Sequence, residues 1–112
     1  MPGIEEWERL RSTLRLGQWL SGSVVRPPAF VGGVFVDLGL PVAGFVDVAL
    51  LPSDQGRWPG DGEVLDFEIW SMDERPQIRL KPLKREFLCE DFEAYVERNG
   101  WPAGHPGAAT GG

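Results

Sequence analysis

Phe35 sits among alternating valines in Gly33-Val-Phe-Val-Asp37, and Phe45 in Gly44-Phe-Val-Asp-Val48. Arg79 and Lys81 flank Leu80 further on. Aromatic faces stack on flat rings, and arginine or lysine holds phosphate. These residue types therefore suit a planar, negatively charged ligand. Phe30, in the turn before Phe35, is a third aromatic candidate. Asp37 and Asp47 complicate the picture, because carboxylates repel phosphate. They suit a ring amino group, a metal ion or a basic protein partner, although a metal site needs more ligands than two aspartates. As a solvated polar face they need no ligand.

Catalysis finds no carrier in this inventory. An activated nucleophile needs a nearby base, and the one histidine, His105, falls near the C-terminal end. Cys89 has no histidine close in sequence and reads as a structural thiol. Val31-Gly-Gly-Val34 lacks the lysine and following helix of a phosphate-cradling loop. The expectation is a protein that is not an enzyme and carries no cofactor or metal.

The elements that position these residues follow from periodicity. Ile4, Trp7, Leu10 and Leu14 form one stripe of a helix over residues 3–15, with glutamates early and arginines late, as the helix dipole favours. Five strands are expected: residues 19–26, 31–38, 45–50, 63–72 and 77–82. Residues 52–61 form a turn-rich loop, and Asp73-Glu-Arg-Pro76 a hairpin turn. A second helix spans residues 84–98, with Leu88, Phe92, Tyr95 and Val96 on its stripe and Asn99-Gly100 as its stop. The Gly-, Ala- and Pro-rich residues 101–112 read as a disordered tail.

Strand alternation sorts the side chains into two faces. Val34, Val36 and Leu38 face one way, and Gly33, Phe35 and Asp37 the other. Val46 and Val48 oppose Phe45 and Asp47, and Ile78 and Leu80 oppose Arg79 and Lys81. The valine sides are the expected core. Phe45 then has a plainer reading as a cap on the core or on a flanking helix, and Phe35 is open to both. Arg79 and Lys81 either hold phosphate or guard an exposed strand edge. Trp58 is expected to pin its loop to the core. Trp70 breaks its strand's alternation, so a terminal helix covers it or it marks a contact patch.

Composition bounds the rest. The chain has 112 residues, enough for one domain, and is 42% hydrophobic with five Trp and six Phe, which argues against wholesale disorder. Fifteen Gly and ten Pro fit a turn-rich β domain. The net charge of −6 works against a non-specific nucleic-acid binder, whose affinity comes mainly from phosphate contacts. A single cysteine permits no internal disulfide and fits a reduced, cytoplasmic setting. No apolar run is long enough to span a bilayer (about 18 residues), and the acidic start is unlike a secretory signal.

Taken in order, the strand segments resemble the S-one domain, the RNA-binding five-stranded barrel. Leu16-Gly-Gln-Trp19 with Gly22-Ser-Val24 matches its opening, and Gly33-Val-Phe-Val36 its second strand, with the first aromatic lost. Gly44-Phe-Val-Asp-Val-Ala49 keeps the next frame but places Asp47 where the family has histidine. Gly62-Glu-Val-Leu-Asp-Phe-Glu-Ile-Trp-Ser-Met-Asp73 fits the long fourth strand. Gln77-Ile-Arg-Leu-Lys81 fits the last without its first arginine. The resemblance implies a mainly β, five-stranded oligonucleotide-binding (OB-fold) Greek-key barrel over residues 16–82. Residues 1–15 and 83–100 would form flanking N- and C-terminal helices. It also implies a binding face on strands two and three, with Phe35, Phe30, Phe45, Asp47, Arg79 and Lys81 as its residues and single-stranded RNA as its ligand. The other reading is a protein-interaction module that kept the barrel, lost RNA binding and uses its acidic surface for a basic protein partner. The oligomeric state is left open by both.

Overall fold

The computed structural model describes residues 3–110; the extreme ends of the two expected terminal segments, residues 1–2 and 111–112, lie outside it. Five strands close into a barrel in the order β1-β2-β3-β5-β4: Trp19–Val25 (β1), Gly33–Asp37 (β2), Gly44–Asp47 (β3), Val64–Met72 (β4) and Ile78–Pro82 (β5). All pairings are antiparallel except β3 with β5. This is the OB-like barrel with flanking helices that the resemblance implies. Among the described residues, no helix is long and apolar enough to cross a membrane.

The core is the valine side. Val24, Val34, Val36, Val46, Phe67, Ile69, Ile78 and Leu80 are all essentially inaccessible. Burial of each such side chain contributes about 1.5–3 kcal/mol. Gly33 sits at a close approach where no side chain fits. Its φ is +147°, and an added Cβ would fall 2.1 Å from the Val46 carbonyl oxygen and 2.9 Å from the Phe45 ring.

The first helix, Ile4–Ser12 (α1), is shorter than its stripe suggests. The Ser12 and Thr13 hydroxyls bond back to the Arg9 and Leu10 carbonyls and compete for the last turn. Trp7 is fully buried, whereas Ile4 is 74% exposed. The helix is clamped to the β4–β5 turn: Trp7 Nε1 donates to the Asp73 carbonyl at 3.0 Å, and Arg11 Nη1 to the same oxygen at 2.6 Å.

β3 ends at Asp47 and not at residue 50. The Asp47 carboxylate accepts the Ala49 N–H and turns the chain into a single 3₁₀ turn, Val48–Leu50, which drives Leu50 into the core. The second helix is also shorter, Phe92–Asn99 (α2), after a 3₁₀ turn at Arg85–Phe87. The Cys89 N–H is spent on the Leu50 carbonyl, and the Arg85 guanidinium on the carbonyls of Cys89 and Glu90, so residues 88–91 stay extended or irregular.

The expected disordered tail, residues 101–112, is instead packed through Trp101 and His105, with residues 111–112 outside the described ones. Trp101 lies 5.4 Å from the Trp70 ring, 5.9 Å from Phe92 and 5.0 Å from His105, centroid to centroid, and a short helix, Pro106–Thr110 (α3), follows. Composition argued for disorder, but aromatic burial offsets the chain entropy of Gly and Ala.

Candidate functional site

The register of the barrel builds one continuous outward row. Val25 on β1 pairs with Phe35 on β2, Phe35 with Phe45 on β3, Phe45 with Arg79 on β5, and Arg79 with Ser71 on β4. Phe30 folds in from the β1–β2 loop, 41% exposed, and completes a cluster with centroid separations of 5.5 Å to Phe35 and 6.4 Å to Phe45. Phe35 and Phe45 are 5.1 Å apart and half-buried. The rings thus hold one another in place and stay partly exposed to solvent. Phe45, half-buried, packs with Phe30 and Phe35 in this surface cluster.

Arg79 stands at the edge of the platform with its side chain 33% exposed. Its Nη1 lies 3.8 Å from Asp47 Oδ2, an ion pair too long to be a hydrogen bond. Asp47 Oδ1 takes the Ala49 N–H, so Oδ2 keeps its acceptor capacity. Beside the pair opens a pocket of ≈230 Å³, lined by Asp47, Arg79, Ser71, Tyr95, Trp70 and the core leucines Leu50 and Leu80. Asp37, on the same face as Asp47, is spent locally on the Gly39 N–H that closes its turn.

Lys81 is held far more tightly than Arg79. Both point outward from β5, but Lys81 Nζ lies 2.6 Å from Glu68 Oε1, with side chains only 14% and 12% exposed. It also sits 5.4 Å from the centre of the Phe92 ring. His105 completes the cluster, with Nε2 at 3.2 Å from Glu68 Oε2 and Nδ1 accepting the Gly107 N–H. That pair of bonds fits the tautomer with its proton on Nε2. The expected phosphate strip is therefore reduced to Arg79. Arg75 and Arg85 are likewise engaged, with Asp73 and with the Cys89 and Glu90 carbonyls.

Two side chains that line the pocket, Ser71 and Tyr95, carried no signal as site residues. Tyr95 reads as part of a helix stripe. A β-bulge between Ile69 and Ser71 shifts the register there, so Ser71 meets Arg79 and Trp70 turns against Phe92, Trp101 and His105. Trp70's broken alternation was the trace of that bulge. Trp58 is buried, donates from Nε1 to the Pro52 carbonyl at 2.6 Å, and pins its loop as expected, with Arg26 stacked 5.4 Å above it. Cys89 is buried, and burial pushes its thiol pKa up.

The barrel is similar to that of GSP13 from Bacillus subtilis, with a TM-score of 0.53 and 20% identity over 62% of this chain and 55% of that one. The chain thus spans a little over half of GSP13's length. Weaker matches are an uncharacterized protein from Methanocaldococcus jannaschii (TM-score 0.47, 21% identity, 64% of this chain and 96% of that one) and a multidomain protein with nucleic acid binding domains from Streptococcus pneumoniae (0.43, 22%, 89% and 36%). No family model and no curated protein matches the sequence. Likeness at this level of identity carries the fold alone.

Proposed function

We propose that the chain binds single-stranded RNA across the Phe30–Phe35–Phe45 platform, with Arg79 contacting phosphate at its edge. One observation carries the reading: three phenylalanines share a solvent-facing surface on β2, β3 and the adjoining loop, beside a partly exposed arginine. That is the face oligonucleotide-binding barrels use, and the strand-by-strand resemblance to the S-one domain supports the same choice. Stacking is tolerant of base identity and worth about 1–3 kcal/mol per base. With Lys81 paired to Glu68, little electrostatic attraction adds to it, so affinity is modest. The reading assigns no catalytic step, since His105 is spent on Glu68 and Gly107.

The test is an anisotropy titration of labelled single-stranded RNA with the wild-type protein, Phe35→Ala and Arg79→Ala, at low and near-physiological salt. Binding that both substitutions weaken supports the site. Absence of binding at low salt by the folded wild-type protein overturns it and turns the search to protein partners.

A further inference from the structure

The pocket at the end of the platform has a chemistry that stacking does not use. Asp47 follows Phe45 by two residues on β3, on the same outward face, so the carboxylate stands roughly 7 Å along the strand from the ring that would carry a base. Arg79 is the cross-strand partner of Phe45. The pair therefore flanks the edge, and not the face, of a base lying on Phe45. An acceptor (Asp47 Oδ2) stands beside a donor fork (Arg79), 3.8 Å apart and without a hydrogen bond between them. The Ser71 and Tyr95 hydroxyls, also on the pocket wall, make no hydrogen bond to any described residue. At ≈230 Å³ the pocket is below the usual size of a whole-ligand site, about 300 Å³ or more, and suits part of one ring system.

From this arrangement we infer that Asp47 and Arg79 read the Watson–Crick edge of one base and select cytosine over uracil. The inference rests on the RNA reading of this face. Cytosine offers its N4 amino group to Asp47 Oδ2 and its adjacent N3 acceptor to one Arg79 Nη–H, which leaves the guanidinium's other N–H donors for the phosphate contact. Uracil places a carbonyl oxygen where that amino group would be, against a carboxylate, and leaves Asp47 Oδ2 without a donor. Unpaired polar groups of that kind set most base discrimination. The two bases have the same ring size, so stacking on Phe45 does not separate them.

The experiment compares labelled cytidine and uridine homo-oligomers of ~8 nucleotides on the wild-type protein and on Asp47→Asn. Asparagine keeps an oxygen for the Ala49 N–H but loses the charge, and a thermal melt verifies that the variant folds. The expected result is binding about tenfold tighter to the cytidine oligomer, falling to within about twofold in Asp47→Asn. Equal wild-type affinity for both oligomers overturns the selection while leaving the RNA reading intact. A preference that survives Asp47→Asn unchanged removes Asp47 from the reader. Failure of both oligomers to bind overturns the RNA reading and the selection together.

Discussion

Phe35 and Phe45 stand directly opposite each other on β2 and β3, with ring centroids 5.1 Å apart, on the outward side of strands whose inward side carries Val34, Val36, Gly44 and Val46. Both rings are therefore dispensable for the core. Phe35→Ala should weaken single-stranded RNA binding about tenfold, while costing about 1 kcal/mol of stability from the lost ring contacts. Paired binding and denaturant titrations check this. A variant that unfolds but, where folded, binds normally would assign Phe35 to packing.

Arg79 and Lys81 share a strand face but not a role. For single strands the salt slope is about 0.7 per phosphate contact. Arg79→Ala should lower the measured slope of log affinity against log salt by about one contact's worth. Lys81→Met should leave slope and affinity unchanged.

Lys81→Met should instead act on stability. It removes one of the two partners of a Glu68 carboxylate that is almost buried; a broken buried pair costs about 3–5 kcal/mol, and the remaining His105 contact places the loss at the lower end of that range. The double variant Lys81→Met with Glu68→Gln should recover part of the loss. Urea midpoints for the two variants decide this.

Trp101 seals the outer side of β4 by packing on Trp70, Phe92 and His105. Trp101→Ala should cost about 2–3 kcal/mol, below the range for a fully buried tryptophan because the residue is only partly covered. A free C-terminal segment would instead give no change in the melting midpoint.

The Ser53 hydroxyl and backbone N–H both donate to Glu90, at 2.7 and 3.1 Å, and hold its carboxyl below the usual glutamate range. A carboxyl lowered in the folded state stabilises the fold above its unfolded pKa, and that contribution fades as pH falls through the folded value. Ser53→Ala should move the Glu90 midpoint, followed by NMR, upward. An unmoved midpoint would break the assignment.

The strands were legible because alternation survives in them except at the β4 bulge: valines or large apolar residues inward, phenylalanine and charge outward. Which outward residues stay free was not legible. Alternation places Arg79 and Lys81 on one face, but the pairing of Lys81 depends on Glu68 across the sheet and on His105, 24 positions further along the chain. The packed C-terminal segment was hidden for a similar reason. Its Gly, Ala and Pro content signals disorder, while the contacts that order it are made by Trp101 and His105 with residues far away in sequence. Helix stripes overran their true ends where a single hydrogen bond, such as Cys89 N–H to the Leu50 carbonyl, redirected the chain.

The most direct test of the account is an amide chemical-shift map of the ¹⁵N-labelled protein titrated with a short single-stranded RNA. The account predicts that shifts concentrate at Phe30, Phe35, Phe45, Asp47, Ser71 and Arg79. Shifts centred on the opposite outer face, around the exposed Trp19 and Val64, or none at saturating RNA, would contradict it.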